Sequence, residues 1–167
     1  MAEDGSNGQE GAAPSQPGIS VIAQYVKDLS FENPGAPATL RPQGAQPNIN
    51  VSVGVQPRPV GDNDVEVELR LEARAVDGET TLFAIELVYA GVFRLVNVTQ
   101  ETVNPIMLIE CPRLLFPFAR QIIAEASQNG GFPPLLLDPI DFVSLYRQRM
   151  VNPGAGGEAA APPATPN

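Results

Sequence analysis

Histidine and tryptophan are absent from this chain of 167 residues, and cysteine and lysine each occur once. Without histidine there is no usual general base, no commonest metal ligand and no partner for a serine or cysteine nucleophile, so hydrolytic and zinc chemistries lose their parts. The lone Lys27 sits in no Walker loop and no dinucleotide glycine fingerprint is present, which removes the markers of phosphoryl and hydride transfer. Only carboxylates remain for acid/base work of the glycosidase kind. The sequence therefore predicts a protein that is not an enzyme, with no catalytic residue, no metal and no cofactor. Long apolar runs are also missing: none approaches the roughly 20 residues that cross a bilayer. The first twenty residues lack a basic stretch followed by an apolar core. The expectation is a soluble, cytoplasmic protein with no signal peptide and no direct membrane insertion. Cys111 has no second cysteine to pair with, which suits a reducing compartment, and it reads as a small buried hydrophobe.

Positive charge is scarce. Nineteen acids against ten Lys and Arg leave a net charge of -9, which repels nucleic acid and anionic membranes and favours basic partners. Hydrophobic residues make up 43% of the chain, enough for one core but unevenly spread. Residues 1–18 combine Gly, Ala, Ser, Gln and Pro, and residues 151–167 carry one charge and little that packs. Both are predicted to be disordered tails around one domain at 19–150.

Inside that domain the pattern has period two. The first run puts Val21, Ala23, Tyr25, Leu29 and Phe31 on one face and Gln24, Asp28, Ser30 and Glu32 on the other. A Pro- and Gly-rich loop over 33–47 follows. Ile49, Val51, Val53 and Val55 then form a second strand, which Pro57 and Pro59 are expected to end. Val65, Val67, Leu69, Leu71, Ala73 and Ala75 alternate with Glu66, Glu68, Arg70, Glu72 and Arg74 in a third. Asp77-Gly78 predicts a tight hairpin into a fourth strand over 81–96. That strand is apolar on both faces: Phe83, Ile85, Leu87, Tyr89, Phe93 and Leu95 on one, Leu82, Ala84, Val88, Ala90 and Val92 on the other. Too few helices exist to cover both, so a partner subunit or an apolar ligand is implied.

Helices are expected only after Asn104: a short turn over 106–110 broken at Cys111-Pro112, then a helix to Asn129 with Leu114, Leu115, Phe118, Ile122 and Ile123 at helical spacing. Pro117 should kink it or mark its first turns, and Gly130 should stop it. The loop 130–137 carries Phe132, Leu135, Leu136 and Leu137 among glycines and prolines, and a loop that apolar must pack or bind. A last helix starts near Asp138 or Asp141 and turns Ile140, Phe142, Val143, Leu145 and Tyr146 inward. The fold class is α+β, with a four-stranded antiparallel sheet followed by packed helices.

Three separated blocks carry a resemblance. Residues 25–34 (YVKDLSFENP), 111–120 (CPRLLFPFAR) and 131–135 (GFPPL) with 139–142 (PIDF) are similar, in the same order, to the opening strand, helix signature and final loop and helix of the SecB export chaperones. The resemblance covers residues 20–149. It implies a dimer that extends the sheet across subunits, and a homotetramer made of two such dimers packed through their long helices. It also implies an ATP-independent holdase that binds unfolded precursor proteins and passes them to the SecA motor.

By that resemblance Asp28, Glu32 and Glu86 form an acidic docking surface for SecA, whose basic tail module would be drawn to carboxylates spread over a sheet. The position two before Glu86 is Ala84, where the family can carry a larger apolar residue. Without the resemblance these acids read as a solvated strand face. Client binding needs adaptable apolar surface, and the candidates are Phe132, Leu135 and Leu136 of the loop with Val88 and Val92 of strand four; for each, filling the core is an equally good reading. An exposed sheet edge could add main-chain bonding. Two alternatives remain: a SecB-like chaperone guarding the antitoxin of a toxin-antitoxin pair, and a small-ligand carrier or carboxylate enzyme, which would need a closed cavity with converging carboxylates.

Overall fold

The structure is a computed structural model that describes residues 16–41, 44 and 46–152, and the backbone of 159–161. Alternating side chains produce four long strands, β1 (Gly18–Glu32), β2 (Asn48–Pro59), β3 (Asp64–Asp77) and β4 (Thr80–Val96), and a three-residue β5 (Ala159–Ala161). All pair antiparallel in the order β1-β4-β3-β2-β5. Apart from 16–18, 151, 152 and 159–161, the two tails expected to be disordered lie outside the described residues.

The third and fourth strands form as their patterns require. Val67, Leu69, Leu71 and Ala75 of β3 are sealed from solvent, as are Leu87 and Phe93 of β4. Each fully buried Leu or Phe contributes roughly 1.5–3 kcal/mol of transfer free energy. The connecting turn lies one residue later than expected: Asp77 still pairs, with Thr80, and Gly78, at φ 59°, opens the turn.

Three elements depart from their sequence patterns. In β1 the register slips between Val21 and Ala23 and again between Val26 and Asp28. Each slip moves the following residues to the other face. Val21, Val26, Leu29 and Phe31 therefore sit opposite Phe93, Tyr89, Leu87 and Ile85, whereas Ala23 and Tyr25 cross to the face of Asp28 and Glu32. In β2 the prolines do not end the strand, since Pro57 and Pro59 pair with Val67 and Val65. Their missing donors point away from β3, where no ladder bond is lost.

Helix begins earlier than expected, at α1 (Gln100–Pro105), because Thr99 caps it: its N–H donates to Thr102 Oγ1 at 3.2 Å. A π-helical turn (Ile106–Glu110) follows and runs without a break into α2 (Cys111–Asn129). Pro112 does not interrupt it: it comes directly after the π turn, whose wider winding accommodates the ring and the missing N–H. The chain closes with α3 (Phe142–Val151), whose cap Asp141 accepts from Ser144 N at 3.0 Å.

All helices lie on one face of the sheet. Cys111, Leu115, Phe116, Ala119 and Ile123 of α2 pack on the helix-side row of β4. A Cβ at Gly91 would come within 2.8 Å of Leu115, so the absence of a side chain there lets the helix sit close. Burial first, and then the Glu110 charge, push the Cys111 thiol up to about 12, so it behaves as the small hydrophobe expected. Leu114 and Phe118, which share the helical apolar pattern, are instead about half exposed, at 44% and 51%.

Among the described residues the opposite face has no helix, and it is held by charge. Glu66 of β3 is 3% exposed and is bonded to Tyr25 and Lys27 of β1 and to Arg58 of β2. Burial alone would raise its carboxyl, but the bonds from Tyr25, Arg58 and Lys27 outweigh burial and hold it at about 2. Lys27 is the residue displaced at the second slip of β1, which lets it reach Glu66 at 3.2 Å.

A carboxyl held at about 2 rather than its ordinary 4.5 stabilises the fold fully above 4.5, and that contribution fades as pH falls toward 2. Acid titration of chemical stability should show a downward limb over this window. Glu66→Gln should cost about 1–3 kcal/mol at pH 7, flatten the limb and converge with the parent near pH 2.

Candidate functional site

The helix-free face carries the three acids read from the sequence. Direct cross-strand pairs are Asp28 with Val88, Ser30 with Glu86 and Glu32 with Ala84, so one face of β1 and β4 presents Asp28, Glu32 and Glu86 together. No slip falls between Asp28 and Glu32, which keeps their four-residue spacing at roughly 13 Å. All three are exposed.

The next strand extends the row, since Glu72 of β3 lies directly opposite Glu86, and like charges so placed repel. Sequence reading did not single out Glu72: its alternation showed only that it faced water, and only the register of β3 against β4 puts it beside Glu86. Among the described residues, Asp28, Glu32, Glu72 and Glu86 form no ion pair, whereas Asp64 and Glu66 are tied to Arg94 and to Lys27 and Arg58. A hollow of about 210 Å³ is lined by the carboxylates of Asp28, Glu68, Glu72 and Glu86, by Val88, and by the cations Lys27 and Arg70. It is an open depression, so these carboxylates attract a cationic surface rather than converge on a reacting atom.

Apolar candidates separate into two places. Val88 and Val92 lie on the acidic face: Val88 is 8% exposed in the floor of the hollow, and Val92 is half-buried. The loop 130–137 lies on the other face, at the end of the sheet where β1 leaves. There Phe132 packs on Phe83 at 4.8 Å and Phe31 at 6.5 Å between ring centroids, and Phe31 stacks on Phe83 at 5.9 Å. A Cβ at Gly130 would lie 2.0 Å from Phe31, so only glycine lets the chain cross this ring.

Ser127, fully buried in α2, holds the loop down. Its carbonyl accepts from Phe132 N at 3.1 Å and its hydroxyl from Leu135 N at 2.8 Å. Leu135 is consequently a core residue, 7% exposed, whereas Leu136 is 39% exposed. Phe31, Phe83 and the exposed Leu40, which lies against Gly131, complete this apolar corner. Sequence reading placed the two phenylalanines in strands without connecting them to the loop, because that junction depends on how α2 ends.

A third apolar surface follows the outer strand. Val21, Val26 and Leu29 of β1 are each 45% exposed on the helix side, and Phe118 of α2 stacks on Tyr89, the cross-strand partner of Val26, at 6.4 Å.

This arrangement can be set beside known proteins. Residues 12–152 match the family model described as preprotein translocase subunit SecB. The chain belongs to the SecB family. A protein-export protein SecB from Rhodopseudomonas palustris strain HaA2 is 58% identical over 144 residues, covering 86% of this chain and 91% of that one. The SecB of Bradyrhizobium sp. strain BTAi1 is 54% identical over 157 residues, covering 94% and 97%. The SecB of Xanthobacter autotrophicus strain Py2 is 54% identical over 154 residues, covering 92% and 97%. Among solved structures, a SecB-like chaperone of Mycobacterium tuberculosis, in complex with a peptide from an antitoxin, superposes with a TM-score of 0.57 at 15% identity. It covers 73% of this chain and 90% of that one, and it shares the fold. The four long strands and packed helices are thus the SecB architecture, and the function is that of a SecB chaperone. Among the described residues no helix is long and apolar enough to cross a membrane.

The different burial of neighbouring loop residues makes a direct contrast. Leu135→Ala should lower stability in urea unfolding by about 2–4 kcal/mol through loss of buried volume. Leu136→Ala, one position on, should change it by less than about 1 kcal/mol.

Proposed function

We propose that this SecB chain is an ATP-independent holdase of the cytoplasm, with residues 19–150 as its working domain. In this reading it keeps precursors unfolded and delivers them to the SecA motor for export. The supporting observation is the division of the sheet into two faces. Asp28, Glu32 and Glu86 stand free of ion pairs among the described residues on the helix-free side. The aromatic corner of Phe31, Phe83 and Phe132 lies on the other. A basic element of SecA docks on the first while client is held chiefly on the second. Glu72 joins the docking row, and Ala84 leaves it flatter.

Client segments bury against Phe132 and Leu136 of the loop, with Val92 and Val88 as a shallower apolar contact across the sheet. Leu135 contributes by keeping the loop in place. Many such contacts, each weak, retain a long unfolded chain while any one segment exchanges. The antitoxin-guarding alternative is favoured less, because the carboxylates expected of a SecA-docking surface are all present and share a face. The same open geometry disfavours a closed ligand carrier.

Assembly accounts for the remaining apolar surface. Val21, Val26 and Leu29 on an outer strand, beside Leu114 and Phe118 on the adjoining helix, suit a dimer that continues the sheet and a dimer of dimers joined through α2. Light scattering should return a mass near four chains of 17.7 kDa, and a monomer at micromolar concentration would overturn this assembly.

The function is tested by refolding a slow-folding precursor with no nucleotide present. The protein should suppress light scattering in proportion to its concentration, and no suppression would refute the holdase. Asp28→Lys and Glu86→Lys should retain that suppression yet bind the zinc-loaded basic tail of SecA at least about tenfold more weakly by low-salt calorimetry. Unchanged affinity in both variants would remove the docking assignment.

A further inference from the structure

The outer edge of β2 is covered by the chain's own C-terminal part. The Val55 carbonyl is turned away from β3 and accepts from Arg149 Nη1 of α3 at 2.9 Å. β2 pairs with β3 without a slip from Asn48 to Pro59. By the two-residue period of a strand, Ile49, Val51 and Val53 also direct their N–H and C=O groups outward. Val51 and Val53 are the residues opposite Ala161 and Ala159 of β5. Pro57 and Pro59 share that parity and have no N–H, so the outward donors stop at Val55. What remains is a short edge from Ile49 to Val55, with its middle occupied by the tail.

We infer that Ala159–Ala161 is a displaceable internal strand, and that the β2 edge it covers accepts an extended segment of unfolded client by strand addition once the tail leaves. The inference rests on the holdase reading and adds to it a main-chain site and its internal competitor.

The sequence of the tail suits this role. Three alanines offer only methyl groups, so the pairing depends on main-chain bonds with little buried area, and alanine is disfavoured in strands. Pro162 and Pro163 follow at once in the sequence, and proline has no N–H with which to lengthen a ladder. Such a strand is weak, but its covalent attachment near α3 gives it a local concentration in the millimolar range, enough to occupy an empty edge. A client segment with β-branched or aromatic side chains makes the same main-chain bonds and buries more apolar surface, so it displaces the alanines. Because the edge is read through peptide groups, it selects extended, unfolded chain over any particular sequence.

The test compares the full chain with a chain ending at Asn152, and with the full-length double variant Ala159→Pro/Ala161→Pro, which removes the tail donors without changing length. Binding of a labelled unfolded precursor is read by anisotropy, and amide exchange is followed at Val51 and Val53. Both altered forms should bind precursor about 3- to 10-fold more tightly, since the competitor is gone. Their Val51 and Val53 amides should exchange faster when free and regain protection with precursor bound, and a peptide of residues 157–167 should weaken binding again. Equal affinities, or unchanged exchange at Val51 and Val53, would overturn the inference while leaving the holdase standing. Absence of precursor binding by every form would instead sink the holdase reading and this inference with it.

Discussion

Burial of one row of side chains on β4 beneath α2 is the constraint on which the rest depends. Phe83, Ile85, Leu87, Tyr89, Phe93 and Leu95 all lie on the helix side. Their cross-strand neighbours on β3 and β1 inherit that side through the register. A sheet of this size exposes more apolar surface than three helices can cover, and α2 spends its buried face on the centre. The flanks, at β1 and at the outer face of α2, keep Val21, Val26, Leu29, Leu114 and Phe118 exposed.

Fixing one face as the core assigns the other to polar work. On the helix-free side the charges sort by their neighbours. Glu66, shut in by Tyr25, Lys27 and Arg58, joins three strands and is structural. Asp28, Glu32, Glu72 and Glu86 form no ion pair among the described residues, although Lys27 and Arg70 line the hollow beside three of them. A net charge of -9 is therefore used in two ways, as internal ties where it is buried and as an attractive surface where it is free. The acidic surface and the aromatic corner are thus separated by the thickness of the sheet.

Much of this was legible in the residues. The period-two pattern of β3 and β4, the shared face of Asp28 and Glu32, and the excess of apolar surface follow from alternation alone, which needs no knowledge of distant contacts; Glu86 joined them through the family resemblance, and the register of β1 against β4 places it on their face. The family was equally plain, because blocks such as residues 111–120 are contiguous. Less legible was anything that depended on a slip, a cap or a partner strand. Two bulges in β1 carried Tyr25 and Ala23 across the sheet, and no local signal marks a bulge whose cause is pairing with β4. Thr99 started a helix ahead of the apolar pattern, and Pro112 fell where a helix tolerates it.

By itself the sequence determined which segments alternate and to which family the chain belongs, since both are properties of residue types and short spacings. Tertiary structure alone decided that Leu135 is core while Leu136 is surface, that Glu72 stands beside Glu86, and that alanines near the end of the chain lie along β2. Those outcomes depend on register and on where α2 stops, and both are fixed by contacts between residues far apart in the chain, whose energies no local pattern contains.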